Sequence, residues 1–173
     1  MNDTKYIQNQ QHYSEVIKLI SSVKRTLWIG TADIKDLYVK QGSRTVPLVA
    51  VLANLIKNGI SVRLIHAKEP GPNFRKDFDK YPVLWKGLER MLCPRVHFKL
   101  ILFDNKIAYI GSANLTGAGL GLKGENNRNF EAGILTSEPI LVNSAIEQFD
   151  KVWIGIHCKK CLRTEFCKDR ISE

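Results

Sequence analysis

Cysteine, long apolar runs, internal repeats and acidic charge are all scarce in this chain, and each scarcity removes a class of protein. Four cysteines in 173 residues are too few for a disulfide-built scaffold, and a chain of this length can bury a core without one. No apolar run approaches the ~20 residues that a membrane-spanning helix needs, so membrane insertion is not expected. Residues 1–11 are polar and lack the apolar centre of a secretory signal, which makes the cytoplasm the expected location. With neither a repeat nor a linker, residues 1–173 read as one domain carrying a cysteine-rich tail at 157–173. Acidic residues number 17 against 26 basic ones, a net charge of +9. That excess attracts polyanions such as nucleic acid or anionic lipid, and it argues against a cationic substrate.

The remaining pattern is that of an α/β protein. Val16, Ile17, Leu19, Ile20 and Val23 share a helical face, predicting an amphipathic helix over 12–24. Residues 26–31 (TLWIGT) and 61–66 (SVRLIH) read as buried strands. Between them Pro47 opens a helix with Leu48, Leu52 and Ile56 at four-residue spacing, stopped by Asn58-Gly59. Prolines interrupt 67–95, where Leu84, Leu88 and Met91 suit a short helix. Strands follow at 96–103, 107–110 and 130–136, the first two joined by a turn at Asp104-Asn105. Pro139 starts a final helix whose apolar face runs from Val142 to Trp153. The expected fold is a single α/β domain, a mixed sheet with helices on both faces.

The stretch VHFKLILFDNKIAYIGSANLTGAGLG carries the chemistry. Residues two apart on a strand face the same side, so His97 and Lys99 should enter one site together. An imidazole can attack phosphorus or carry a proton, and an ammonium can hold a phosphate oxygen. Gly111 permits a close backbone turn, and Ser112 and Asn114 supply neutral donors for further oxygens. Aimed at one phosphate, such donors stabilise the charge that develops on displacement, with no metal required. Asp104 is expected to hold its turn through local backbone bonds. A lone H-x-K means little, since His66-Ala67-Lys68 and His157-Cys158-Lys159 also match it. Neither of those has the aspartate or the G-S-x-N that follows His97.

Taken whole, His97-x-Lys99-x4-Asp104-x6-Gly111-Ser112-x-Asn114 resembles the motif of the phospholipase D superfamily, over roughly residues 96–134. The resemblance implies a phospholipase D-like fold, a metal-independent phosphodiesterase and a phosphohistidine formed on His97. It also implies that Glu131 orients the imidazole, by likeness to a glutamate kept in small nucleases of the superfamily. The family mechanism uses two motifs, one histidine attacking and the other protonating the leaving oxygen. This sequence carries one, so the resemblance implies a homodimer with His97 of each subunit at a shared axis.

Three functions stay open at this point: an endonuclease acting on DNA or RNA, a phospholipid head-group hydrolase, and a non-catalytic nucleic-acid-binding module. The net charge and the small single-motif format favour the first. Only Leu120 and Leu122 offer a membrane-docking segment for the second. The glycine-dense loop at 117–124, with Lys123 and Arg128 nearby, reads equally as a substrate-facing loop or a plain connection. Cys158-x2-Cys161-x5-Cys167, joined by Cys93 from just before the catalytic strand, has ligand-like spacing. It makes a candidate structural zinc site with His157 as an alternative ligand, an iron–sulfur cluster being the second choice.

Overall fold

The computed structural model describes residues 3–169 and 171. Its centre is a seven-stranded mixed sheet in the order β1-β9-β8-β7-β2-β5-β6. The strands are β1 (Thr4–Gln8), β2 (Thr26–Thr31), β5 (Ser61–His66), β6 (Leu88–Leu92), β7 (Lys99–Phe103), β8 (Ile107–Gly111) and β9 (Ala132–Thr136). β2, β5 and β6 run parallel, and the remaining neighbours pair antiparallel. A small hairpin, β3 (Tyr38–Gln41) with β4 (Arg44–Pro47), stands apart from this sheet.

The strands were legible because they are buried on both faces. TLWIGT in β2 and KLILF in β7 show almost no exposed residue, and such strands read as continuous apolar runs. On one face Leu27, Ile29, Ile101, Phe103 and Tyr109 meet Val16 and Ile20 of the first helical segment and Leu48 and Leu52 of α2 (Leu48–Lys57). On the other face Trp28, Leu100, Leu102 and Ala108 meet Val142, Ala145 and Phe149 of α5 (Pro139–Trp153). Helices therefore cover both faces of one sheet. No helix among the described residues is long and apolar enough to cross a membrane.

Several elements differ from the sequence expectation. The first helix opens as a π-helical segment, His12–Ile17, before α1 (Lys18–Ser22). Leu88 and Met91 belong to β6, not to a helix, because α4 (Pro82–Gly87) stops where β5 offers a parallel edge. β1 was hidden by its polar composition: only Ile7 faces inward, and the strand exists because β9 presents an edge to it. α3 (Pro72–Asp79) fills part of the proline-broken region. The turn at Asp104-Asn105 holds both residues at positive φ, 53° and 54°, the mirror-image turn that suits a tight hairpin.

Candidate active site

β2 ends, β7 begins, β8 ends and β9 begins at the same end of the sheet, so the chain segments flanking these strands converge there. The pairing register sets Lys99 opposite Gly111 and Gly111 opposite Gly133. Tyr109 lies beneath both glycines. A Cβ at Gly111 would strike the Tyr109 hydroxyl and the Ala132 carbonyl, and one at Gly133 would strike the Tyr109 ring. The Tyr109 hydroxyl accepts the Ala113 N–H at 3.1 Å, fixing the chain just after Ser112. Glycine at 111 is thus a packing requirement of the sheet end.

His97 is exposed and precedes β7 by two residues. Phe98 turns to the opposite face, filling the space that a Cβ at Gly30 would take. Lys99, 9% exposed, donates from Nζ to the His97 carbonyl at 2.8 Å and stands 3.4 Å from His97 Nδ1. Nucleophile candidate and cation therefore share one face. An ammonium only donates, so Nδ1 meets it as an acceptor. Burial lowers the Lys99 pKa, and the negative charge of Glu131 opposes that shift.

Glu131 is buried and fully engaged. Its Oε2 accepts a short hydrogen bond from the Ser112 hydroxyl, and its Oε1 accepts from Asn129 Nδ2 at 3.0 Å. Asn9, held at φ 47°, clasps the Glu131 backbone: its Oδ1 accepts the Glu131 N–H at 3.2 Å and its own N–H donates to the Glu131 carbonyl at 2.9 Å. The carboxylate stands on Ser112 and Asn129, and the expected contact with the imidazole is not among its bonds. Ser112 Oγ also accepts the Ala132 N–H at 3.0 Å, so its proton and one lone pair are already in use.

Asn114 is anchored by its oxygen, which accepts from the Asp33 N–H at 3.1 Å and shares the Thr31 hydroxyl proton, at 3.3 Å, with the Asp33 carbonyl at 2.9 Å. Its amide nitrogen is left as the outward donor. Thr31 completes the anchor by accepting the Leu115 N–H at 3.2 Å.

Asp104 lies at the opposite end of β7, away from this cluster. Its carboxylate accepts the backbone N–H groups of Lys24, Arg25 and Thr26 at 2.6 to 3.1 Å. It therefore ties the hairpin to the loop before β2, a distant partner in place of the local backbone bonds expected within its own turn. Burial alone would raise the Asp104 pKa, but bonds from Thr26, Lys24 and Arg25 bring it below the ordinary value.

The glycine loop is laced shut from within. The Arg128 guanidinium donates to the carbonyls of Gly119, Gly121 and Lys123 at 2.5 to 3.1 Å. Leu120 is 1% exposed, so it offers no side chain to a membrane, and Leu122 is half-buried.

Sequence reasoning passed over the supports Thr31, Asn9 and Asn129, and also Arg95 and Arg163. The two arginines line an open depression of about 310 Å³ together with His97. Asn129, two residues before Glu131, was within sight of the motif, whereas Thr31 and Arg163 reach the site only through the fold. The four cysteines and His157 gather at a separate cavity that Lys99 does not line. Among the described residues no three His, Cys, Asp or Glu side chains are already grouped to hold an ion.

A family model described as "cardiolipin synthase, PLD-like domain" matches residues 16–153. The fold is similar to that of NucT from Helicobacter pylori, at 17% identity over 88% of this chain and 96% of that one, with a TM-score of 0.62. It is similar also to Nuc from Salmonella typhimurium, described as a phospholipase D family member, at 17% identity over 88% and 95% of the two chains, with a TM-score of 0.61. TrmBL2, an archaeal chromatin protein described as showing a novel mode of DNA binding, aligns at 13% identity over 87% of this chain and 51% of its own, with a TM-score of 0.59. At these identities the likeness is one of fold. No curated protein matches the chain.

Proposed function

The chain belongs to the PLD-like domain family, and on that premise we propose that it is a metal-independent phosphodiesterase, an endonuclease that cleaves DNA or RNA through a phosphohistidine at a homodimer interface. The observation that carries the reading is Lys99, a buried ammonium held against His97 at the sheet end where Ser112, Asn114 and Glu131 also meet.

In this mechanism a His97 ring nitrogen attacks phosphorus and the P–O bond to the leaving oxygen breaks. His97 of the partner subunit gives that oxygen a proton, leaving a phosphohistidine. The partner subunit's His97 then takes a proton from water, whose oxygen displaces the first imidazole and restores the enzyme. Lys99 and the Asn114 amide hold the non-bridging oxygens where charge builds, the task otherwise given to a metal. Glu131 keeps the Ser112 hydroxyl in place and sustains the charge on Lys99. Ser112 joins the phosphate contacts by turning its proton from Glu131 to a substrate oxygen.

Two features support the shared site. One protomer supplies one histidine to a reaction that needs an acid as well as a nucleophile. Phe130, beside Glu131, is 96% exposed, a large apolar ring that a subunit contact would cover. A nucleic-acid substrate is supported by the net charge of +9 and by Arg95 and Arg163 bordering His97. The family description names a phospholipid enzyme, but Leu120, one of the two loop leucines that could dock on a lipid surface, is buried.

End-labelled single-stranded DNA and RNA incubated in excess EDTA test the proposal. Wild type is expected to cleave at least one of them and His97→Ala neither, with a dimer in sedimentation. Cleavage that persists in His97→Ala, or full activity from a monomer, would sink it. Binding without cleavage would instead mark a non-catalytic nucleic-acid module.

A further inference from the structure

We propose that Cys93, Cys158, Cys161 and Cys167 together hold a structural zinc ion. They are all the cysteines of the chain. They come from two distant parts of the sequence, yet all four line one cavity of about 240 Å³. Cysteines kept merely as small core residues would be spread through the two cores.

Each thiol is delivered by a turn. Cys93 directly follows β6, where its N–H donates to the His66 carbonyl at 2.9 Å. Cys158 and Cys161 lie beyond α5, with the Cys161 N–H donating to the Cys158 carbonyl at 3.1 Å. This is a C-x2-C turn of the kind that thiolate metal sites use. Cys167 closes the short helical turn Thr164–Phe166, and its sulfur lies 4.0 Å from the Leu92 carbonyl, next to Cys93. All four are half-buried, and none is in a disulfide.

The lining chemistry selects the ion. Four thiolates around a divalent cation carry a net charge of −2, and among the described residues the cavity wall supplies Arg95 and Lys151 but no carboxylate. Soft sulfur donors without carboxylates suit zinc over calcium or magnesium. His157, also on the wall, is the alternative fourth ligand.

The mechanical need is equally plain. Residues 157–169 add no side chain to either apolar core, apart from any role of Cys158, Cys161 and Cys167, and Leu162 and Phe166 are 98% and 63% exposed. The segment is fastened by the Leu92 N–H donating to Asp169 at 2.7 Å and by a Lys168–Glu69 ion pair at 3.6 Å. A metal supplies the binding energy that packing does not. The sulfurs are not yet closed into a cage. Bringing them to the Zn–S distance of about 2.3 Å asks for movement in these turns. The ion would then tie the Cys93 turn, four residues ahead of His97, to the tail that carries Arg163 to the same depression.

Elemental analysis of the full chain, purified under reducing conditions, tests the site without any assay of activity. The expected result is about one zinc per chain, released when a mercurial blocks the thiols and lost in Cys161→Ser. Wild type refolded with cobalt should show sulfur-to-metal charge transfer and intense tetrahedral visible bands, which keeps the test decisive if the variant fails to fold. Zinc-free protein with four freely reacting thiols overturns the proposal, as does a disulfide among the four or an iron-containing chromophore.

Discussion

Replacing Asp104 separates a structural role for the motif aspartate from a catalytic one. Its carboxylate accepts three backbone N–H groups, from Lys24, Arg25 and Thr26, across the loop that leads into β2. Hydrogen bonds to a charged group contribute roughly 1.5–3 kcal/mol each in well-buried settings, and this cluster is only half-buried, so about 2 kcal/mol is a fair sum. Asp104 also sits at φ 53°, a left-handed conformation that Asp and Asn tolerate and that costs alanine about 1 kcal/mol more. Asp104→Ala should therefore destabilise by about 3 kcal/mol, a fall in Tm of roughly 6–12 °C for a chain of this size. Asp104→Asn keeps the turn and one acceptor oxygen, so it should lose about a third of that. Because the folded-state pKa is depressed, the stabilisation is present above the ordinary carboxyl value and disappears as pH falls through the folded one. The gap between wild type and Asp104→Ala should therefore narrow in strong acid to the backbone part of about 1 kcal/mol, which does not titrate. Thermal melts from neutral to acid pH supply the numbers, and cleavage assays well below Tm supply the control. A melting loss under about 0.5 kcal/mol, typical of a surface change, would refute this assignment. So would abolished cleavage in a folded variant.

Lys99→Ala should fold and bind nucleic acid yet lose about 10²–10³ in kcat, the usual effect of removing one oxyanion donor, and single-turnover cleavage would show it. Gly111→Ala should be poorly tolerated, because its Cβ meets the Tyr109 hydroxyl and the Ala132 carbonyl. A loss of at least about 2 kcal/mol in urea melts is expected from overpacking. His12 and His66 are both buried, and burial lowers the pKa of each. The unfolded chain therefore binds their protons first, and stability should fall as pH drops below about 6.5. Urea midpoints that are equal at pH 7.5 and 5.5 would contradict it.

Much of the fold was legible in the sequence because β2, β5 and β7 are apolar on both faces and α2 and α5 carry clean apolar stripes between a proline and a glycine or turn. The edge was not legible. β1 and β6 gain their strand identity from β9 and β5, whose open backbones accept them, and local composition does not encode such a partner. The site divides in the same way. Lys99 and Gly111 face each other on two strands joined by a tight turn, with His97 just before and Ser112 and Asn114 just after them, so closeness in sequence brings the five to one end of the sheet. Which group engages which was a tertiary decision. Glu131 lies on Ser112 and Asn129 because Asn9, from the start of the chain, grips its backbone. Asn114 owes its orientation to Thr31, and Arg163 borders His97 because the tail folds back along β6. A motif fixes the residue types that a reaction needs, whereas hydrogen-bond partners come from chain segments whose meeting depends on the whole fold.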